Sequence, residues 1–134
     1  FWERTLGCAT AVQYLALMGL GFEGGNLEHA QRFEAQLRSA GDPESAALVA
    51  RIGREEVAHV HFASTWFCRL TGRDPADGPR FEDWAAALPP PLTPAVLRGV
   101  PLDRERRARA GLSAEFLDRL ERCAPTTTRS GRAE

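Results

Sequence analysis

The stretch Ala40-Gly41-Asp42-Pro43 decides how this chain folds. Gly41 suits the left-handed conformation that ends a helix, Asp42 is a strong N-cap, and Pro43 fits a first helical turn. Apolar residues at helical spacing run up to this stretch and away from it. One helix is predicted from about Arg4 to Ser39 and a second from about Pro43 to Thr71. So short a connection makes them antiparallel neighbours, and the fold class is all-α.

Each residue of a helix advances about 100° around its axis. On the second helix this places Ser45, Leu48, Val49, Ile52, Val60, Ala63, Trp66, Phe67 and Leu70 on one face. Glu56 and His59 fall inside the same stripe, three residues apart and therefore adjacent, while Arg54, Ala58, His61 and Thr65 point away. On the first helix Val12, Ala16, Leu20, Leu27, Ala30 and Leu37 form the stripe, and Glu23 stands at its centre. Charged groups on a core face must be paired, hydrogen-bonded or metal-bound. Gly19, Gly21, Gly24 and Gly25 weaken the first helix near Glu23 and mark a bend, a bulge or the close approach of another helix.

Distance along the helices agrees with the choice of face. Glu23 lies about 18 residues before Gly41, and Glu56 and His59 lie about 15 and 18 after it. All three therefore reach nearly the same depth, roughly 25 Å from the turn. Two carboxylates and an imidazole suit iron or manganese, and a carboxylate can bridge two cations. Carboxylate-bridged bundles take a Glu from each of two helices and a Glu-x-x-His from each of two others. This chain holds one of each, which is half of such a set. Glu34 on the first stripe is expected to pair with an arginine or reach water. Glu55 is read as a solvated charge, and His29 and His61 as surface residues. Trp66, Phe67 and Phe33 are read as core, and Arg104, Arg106, Arg107 and Arg109 as a solvated or salt-bridged face.

After Gly72 the pattern changes. Residues 73–79 read as a loop, 80–88 as a short amphipathic helix, and Pro89-Pro90-Pro91 as a helix stop. Residues 113–123 read as a last helix capped by Ser113, with Phe116, Leu117 and Leu120 on its apolar face. The tail has too few apolar anchors for its own core. Leu97, Leu102, Leu112, Phe116 and Leu120 are therefore expected to pack across the hairpin. The expected layout is one domain over residues 1–124, made of a hairpin (4–71) and a wrapping tail (72–124), followed by disorder over 125–134.

Composition narrows the function. The net charge is −1, which gives no general attraction to nucleic acid or to an anionic membrane. No apolar run is long enough to span a bilayer. The 17 basic residues are all arginine, a usage that suggests a GC-rich bacterial genome. Cys8, Cys68 and Cys123 are widely spaced and odd in number, so reduced thiols in a cytoplasm are expected. The chain begins at Phe1 and not at Met, which leads us to expect an N-terminal portion beyond it.

Several stretches together resemble a bacterial family of ferritin-like proteins of unknown function. They are Phe22-Glu23-Gly24-Gly25-Asn26-Leu27-Glu28-His29-Ala30, Ala40-Gly41-Asp42-Pro43-Glu44-Ser45-Ala46, Arg54-Glu55-Glu56-Val57-Ala58-His59-Val60 and Trp66-Phe67. In the tail, Leu102-Asp103-Arg104-Glu105-Arg106-Arg107-Ala108-Arg109-Ala110-Gly111-Leu112 is similar to the same family. The resemblance implies a ferritin-like four-helix bundle in which this chain supplies the last two long helices. Glu23 would be the third-helix carboxylate, and Glu56 and His59 the fourth-helix pair, in a centre of two iron ions or of iron and manganese. The leading expectation is an oxidoreductase that turns oxygen or peroxide on a small organic substrate. The alternatives are a ferroxidase or iron-handling module, and a structural hairpin with an incomplete site. The expected partner is the missing N-terminal half-bundle or a second copy in a homodimer, with no nucleic acid and no membrane.

Overall fold

The computed structural model describes residues 7–124. The chain is all-α, and no β-strand occurs among the described residues. The first helix begins at Ala11, later than expected. Thr10 Oγ1 accepts the Gln13 N–H at 3.2 Å, and Gln13 Oε1 accepts the Ala9 N–H at 2.7 Å. These two bonds satisfy backbone donors that an opening helix leaves unpaired and fix its start. Gly7 to Thr10 are therefore not helical. The rest of the expected start, Arg4 to Leu6, lies outside the described residues, as does the expected disorder over 125–134.

From Ala11 the chain forms one continuous rod in three parts: α1 (Ala11–Tyr14), a π-helical segment (Leu15–Glu23) and α2 (Gly24–Ser39). In the middle part the turns are wider, as where the Gly24 N–H reaches the Gly19 carbonyl five residues back. At the far end Gly41 takes φ 81°. The Asp42 N–H returns to the Leu37 carbonyl at 3.0 Å and the Gly41 N–H to Arg38 at 3.2 Å, a Schellman closure. Asp42 then accepts the Ser45 N–H at 3.0 Å, a bond that holds its carboxyl below the usual range. This cap starts α3 (Pro43–Leu70), which runs back along the rod.

Two small-residue contacts set how closely the rods lie. A Cβ added to Gly19 would sit 2.1 Å from the Ala63 Cβ, and one added to Gly53 would sit 2.9 Å from the Ala30 Cβ. The glycine run is thus explained by both a wide turn and a close approach.

The tail forms a second layer through a 3-10 turn (Pro75–Asp77) and α4 (Phe81–Ala87), α5 (Pro94–Leu97), α6 (Arg104–Arg109) and α7 (Ala114–Arg122). Trp84, Leu97, Leu112, Phe116, Leu117 and Leu120 join Ala16, Leu20, Leu27, Val60 and Phe67 in one apolar cluster, with Leu102 packed against it. Trp84 Nε1 donates to the Ala16 carbonyl at 2.9 Å, tying the tail to the π-helical segment. The helices α5 and α6 fall where no helix was expected, because they are short and carry no long apolar periodicity.

Arg107 departs furthest from its expected place. It is fully buried and forks onto Glu28, with Nε–Oε1 at 2.6 Å and Nη2–Oε2 at 2.9 Å. Glu28 Oε1 also accepts the Asp103 N–H at 3.0 Å. The neighbouring Arg104 behaves as expected and pairs at the surface with Asp118 and Glu121.

The outer part of the expected α3 stripe is not covered. Leu48, Ile52, Trp66 and Leu70 are 59%, 45%, 40% and 49% exposed, and Phe33 of α2, also expected in the core, is exposed. The physical reason is one-sidedness: the tail packs on one flank of the hairpin and leaves the other open.

Two stability predictions follow from these contacts. Gly19→Ala should destabilise the fold by about 1–3 kcal/mol through overpacking, and Ala63→Gly in the same chain should recover most of it, as read by urea denaturation. Arg107→Met should cost about 3–5 kcal/mol because it strands a buried carboxylate. The double variant Glu28→Gln/Arg107→Met should lose less than Arg107→Met alone.

Candidate metal centre

The glycine–alanine contacts bracket the candidate site. Gly19 and Ala63 meet on one side of it, and Ala30 and Gly53 on the other. Between them Glu23, the last residue of the π-helical segment, faces Glu56 and His59 of α3. Each offers a donor atom, and these atoms lie within 4.8 Å of one another. Among the described residues this is the one group of three or more His, Cys, Asp or Glu side chains that converges in this way.

Burial is graded across the group. Glu23 is half-buried, the Glu56 side chain is 13% exposed, and the His59 side chain is 58% exposed. His59 Nδ1 lies 3.3 Å from Glu56 Oε2, close enough to share a proton or to hold the two groups in a common orientation. Although His59 lies in the apolar stripe, it stands on the uncovered flank of the hairpin.

The electrostatics are those of two acids held together. Burial pushes the Glu23 carboxyl above its ordinary range, the Glu56 charge pushes it further, and His59 opposes both. Such a pair is relieved by a proton or by a cation. Two carboxylate oxygens and an imidazole nitrogen fit iron or manganese, and they use the same residues that spacing and helical face select.

The other charged candidates separate from this group. Glu34 pairs with Arg38 and Glu55 with Arg51, each at 2.9 Å and one helical turn away. His29 and His61 are exposed. Glu28 was overlooked as a buried acid, and a signal for it existed. Gly21, Gly25 and Glu28 stand at i, i+4 and i+7, a second face of the rod on which the backbone is bare. Leu97 closes on Gly21 and Gly25, and Arg107 reaches Glu28 across that face. Tyr14, Leu15, Met18 and Phe62 were not singled out as site residues either. With Gly19, Glu23, His59 and Ala63 they line a cavity of about 270 Å³ beside the carboxylates.

A protein-family model described as "Protein of unknown function (DUF455)" matches residues 1–118. No curated protein and no solved structure matches the chain.

Carbon-detected NMR titration should place the Glu23 carboxyl above the usual glutamate range. Glu56→Gln should bring it part of the way down, since the repulsion goes while the larger effect of burial stays. The sign for stability follows. An acid whose folded-state value is raised favours folding at low pH, and that contribution is lost as pH rises through the raised value. Wild type should therefore lose more stability than Glu56→Gln as pH rises from the ordinary glutamate value through the raised one.

Proposed function

The chain belongs to this DUF455 family, and we propose that it supplies half of a ferritin-like, carboxylate-bridged metal centre serving an oxidoreductase. One observation carries the reading: Glu23, Glu56 and His59 converge from two antiparallel helices with donor atoms within 4.8 Å. Glu23 and Glu56 would chelate or bridge, and His59 would complete one coordination shell. A pair of iron ions, or iron with manganese, supplies such a site with the means to bind and polarise oxygen or peroxide. The residues of this chain hold the ions, set their spacing and shape the space beside them.

Three donors are too few for two ions, so the reading calls for a complement. The open flank supports one, because Leu48, Ile52, Phe62, Trp66 and Leu70 of α3 and Tyr14 of α1 are exposed around the cluster. A half-bundle carrying another Glu and another Glu-x-x-His would cover that face and complete the set. A second copy of the chain, related by a two-fold axis, would bring the same donor types.

The cavity beside Glu23 and His59 favours an organic substrate over iron as cargo. A path for cations needs acidic walls, whereas Tyr14, Leu15, Met18 and Phe62 present mostly apolar surface. Three free thiols favour a cytoplasmic place.

Metal analysis and calorimetric titration with Fe(II) and Mn(II) test the centre. Binding should raise unfolding free energy by about 2.7 kcal/mol when free metal stands at 100 times its Kd. Glu23→Ala and His59→Ala should each remove most of that gain, and a wild-type chain that takes up neither metal would sink the proposal. Coverage of the open flank has its own measurement. The chain alone should self-associate in sedimentation, and Leu48→Glu with Ile52→Glu should return it to monomer.

A further inference from the structure

The cavity beside the carboxylates does not end at Phe62. A second cavity, of about 430 Å³, shares Tyr14, Leu15 and Phe62 with it and continues to Trp66, Leu70 and Cys8. The two therefore adjoin along these residues, and together they make an open groove between the first rod and α3. From His59 to Leu70 it follows α3 for about 16 Å. Among the described residues its charged lining lies at one end only, where Glu23 and His59 stand, and none of the described residues lining the second cavity is charged.

We propose that this groove holds the straight-chain aliphatic part of the substrate, with the reacting end at Glu23 and His59 and the chain running out past Phe62 toward Trp66. This rests on the metal centre proposed above and names the class of molecule it would serve. The shape argues for a chain and against a compact ring, because the space is long, one cavity following the other past Tyr14, Leu15 and Phe62. The polarity argues for one reactive or polar end and an uncharged remainder.

The depth argues for a small molecule and not for the side chains of a covering helix. Tyr14, Phe62 and Trp66 are 51%, 61% and 40% exposed and stand up as a rim. Gly19 and Ala63, both buried, line the first cavity and give its floor almost no side chain. A helix laid across the flank would rest on that rim and leave this floor free.

The chain contains a single methionine, Met18, and it lines the groove next to Glu23. Protein labelled with ¹³C at the methionine methyl is titrated with 1-butanol, 1-hexanol and 1-octanol. The Met18 methyl should shift saturably, with a Kd about fourfold tighter for each added methylene. Phe62→Asn, at an exposed position whose change should not disturb folding, should weaken 1-octanol at least about tenfold, because Phe62 walls both cavities. A methyl that does not saturate, an affinity indifferent to chain length, or undiminished binding by Phe62→Asn would each overturn the groove.

Cobalt(II) added to the same sample reads the metal centre separately, since a paramagnetic ion at Glu23, Glu56 and His59 broadens the Met18 signal. Broadening without any alcohol response removes the aliphatic site and leaves the metal centre standing. An alcohol response without broadening keeps the aliphatic site and removes the metal centre.

Discussion

Everything at the candidate centre depends on how closely two rods can lie, and two glycine–alanine contacts set that distance. A side chain on Gly19 would collide with Ala63, and one on Gly53 would collide with Ala30. With bare backbone at both places, the short side chains of Glu23 and Glu56 span the gap with His59 beside them. Larger residues would part the helices and separate the donors. The contacts are costly in isolation, because a glycine inside a helix gives up about 1 kcal/mol relative to alanine. Their justification is positional: they bracket the acids.

The second layer answers a different demand. A hairpin exposes two flanks, and the tail closes one with Trp84, Leu97, Leu112 and Phe116. The same layer sinks Arg107 into the interior and matches it to Glu28 on both oxygens. A buried ion pair adds little stability compared with apolar residues of the same size, yet it tolerates few alternative arrangements. Its contribution here is register. It locks α6 against α2 at one place, beside Gly24, where a side chain would crowd the Arg107 guanidinium.

The hairpin and the convergence of three polar side chains within it were legible in the sequence because both rest on local rules. Gly41, Asp42 and Pro43 state their conformations individually, and a constant rise per residue places Glu23, Glu56 and His59 at one depth. The uncovered flank was not legible for the opposite reason. A helical wheel marks Leu48, Ile52 and Trp66 as apolar, but it holds no information about which neighbour covers them. Arg107 was hidden among four arginines, since nothing local separates a buried member of a charge run from solvated ones. The π-helical segment was visible only as excess glycine, a sign shared by bends, bulges and close contacts.

The wide turns of Leu15–Glu23 also bear on how this chain tolerates insertion and deletion. A π-helical stretch is in effect a helix carrying surplus residues, so losing one residue there would relax it toward ordinary α-helix. Because the wide turns hold that surplus, their relaxation would absorb most of the roughly 100° that a lost residue otherwise takes from a helix, and Tyr14, Leu15 and Ala16 would keep nearly their facing toward Glu23 and the Trp84 indole. The same loss within α2 or α3, where no surplus is stored, would turn one end of the rod by about 100° against the other. Length is therefore more forgiving in this segment than in the straight helices beside it.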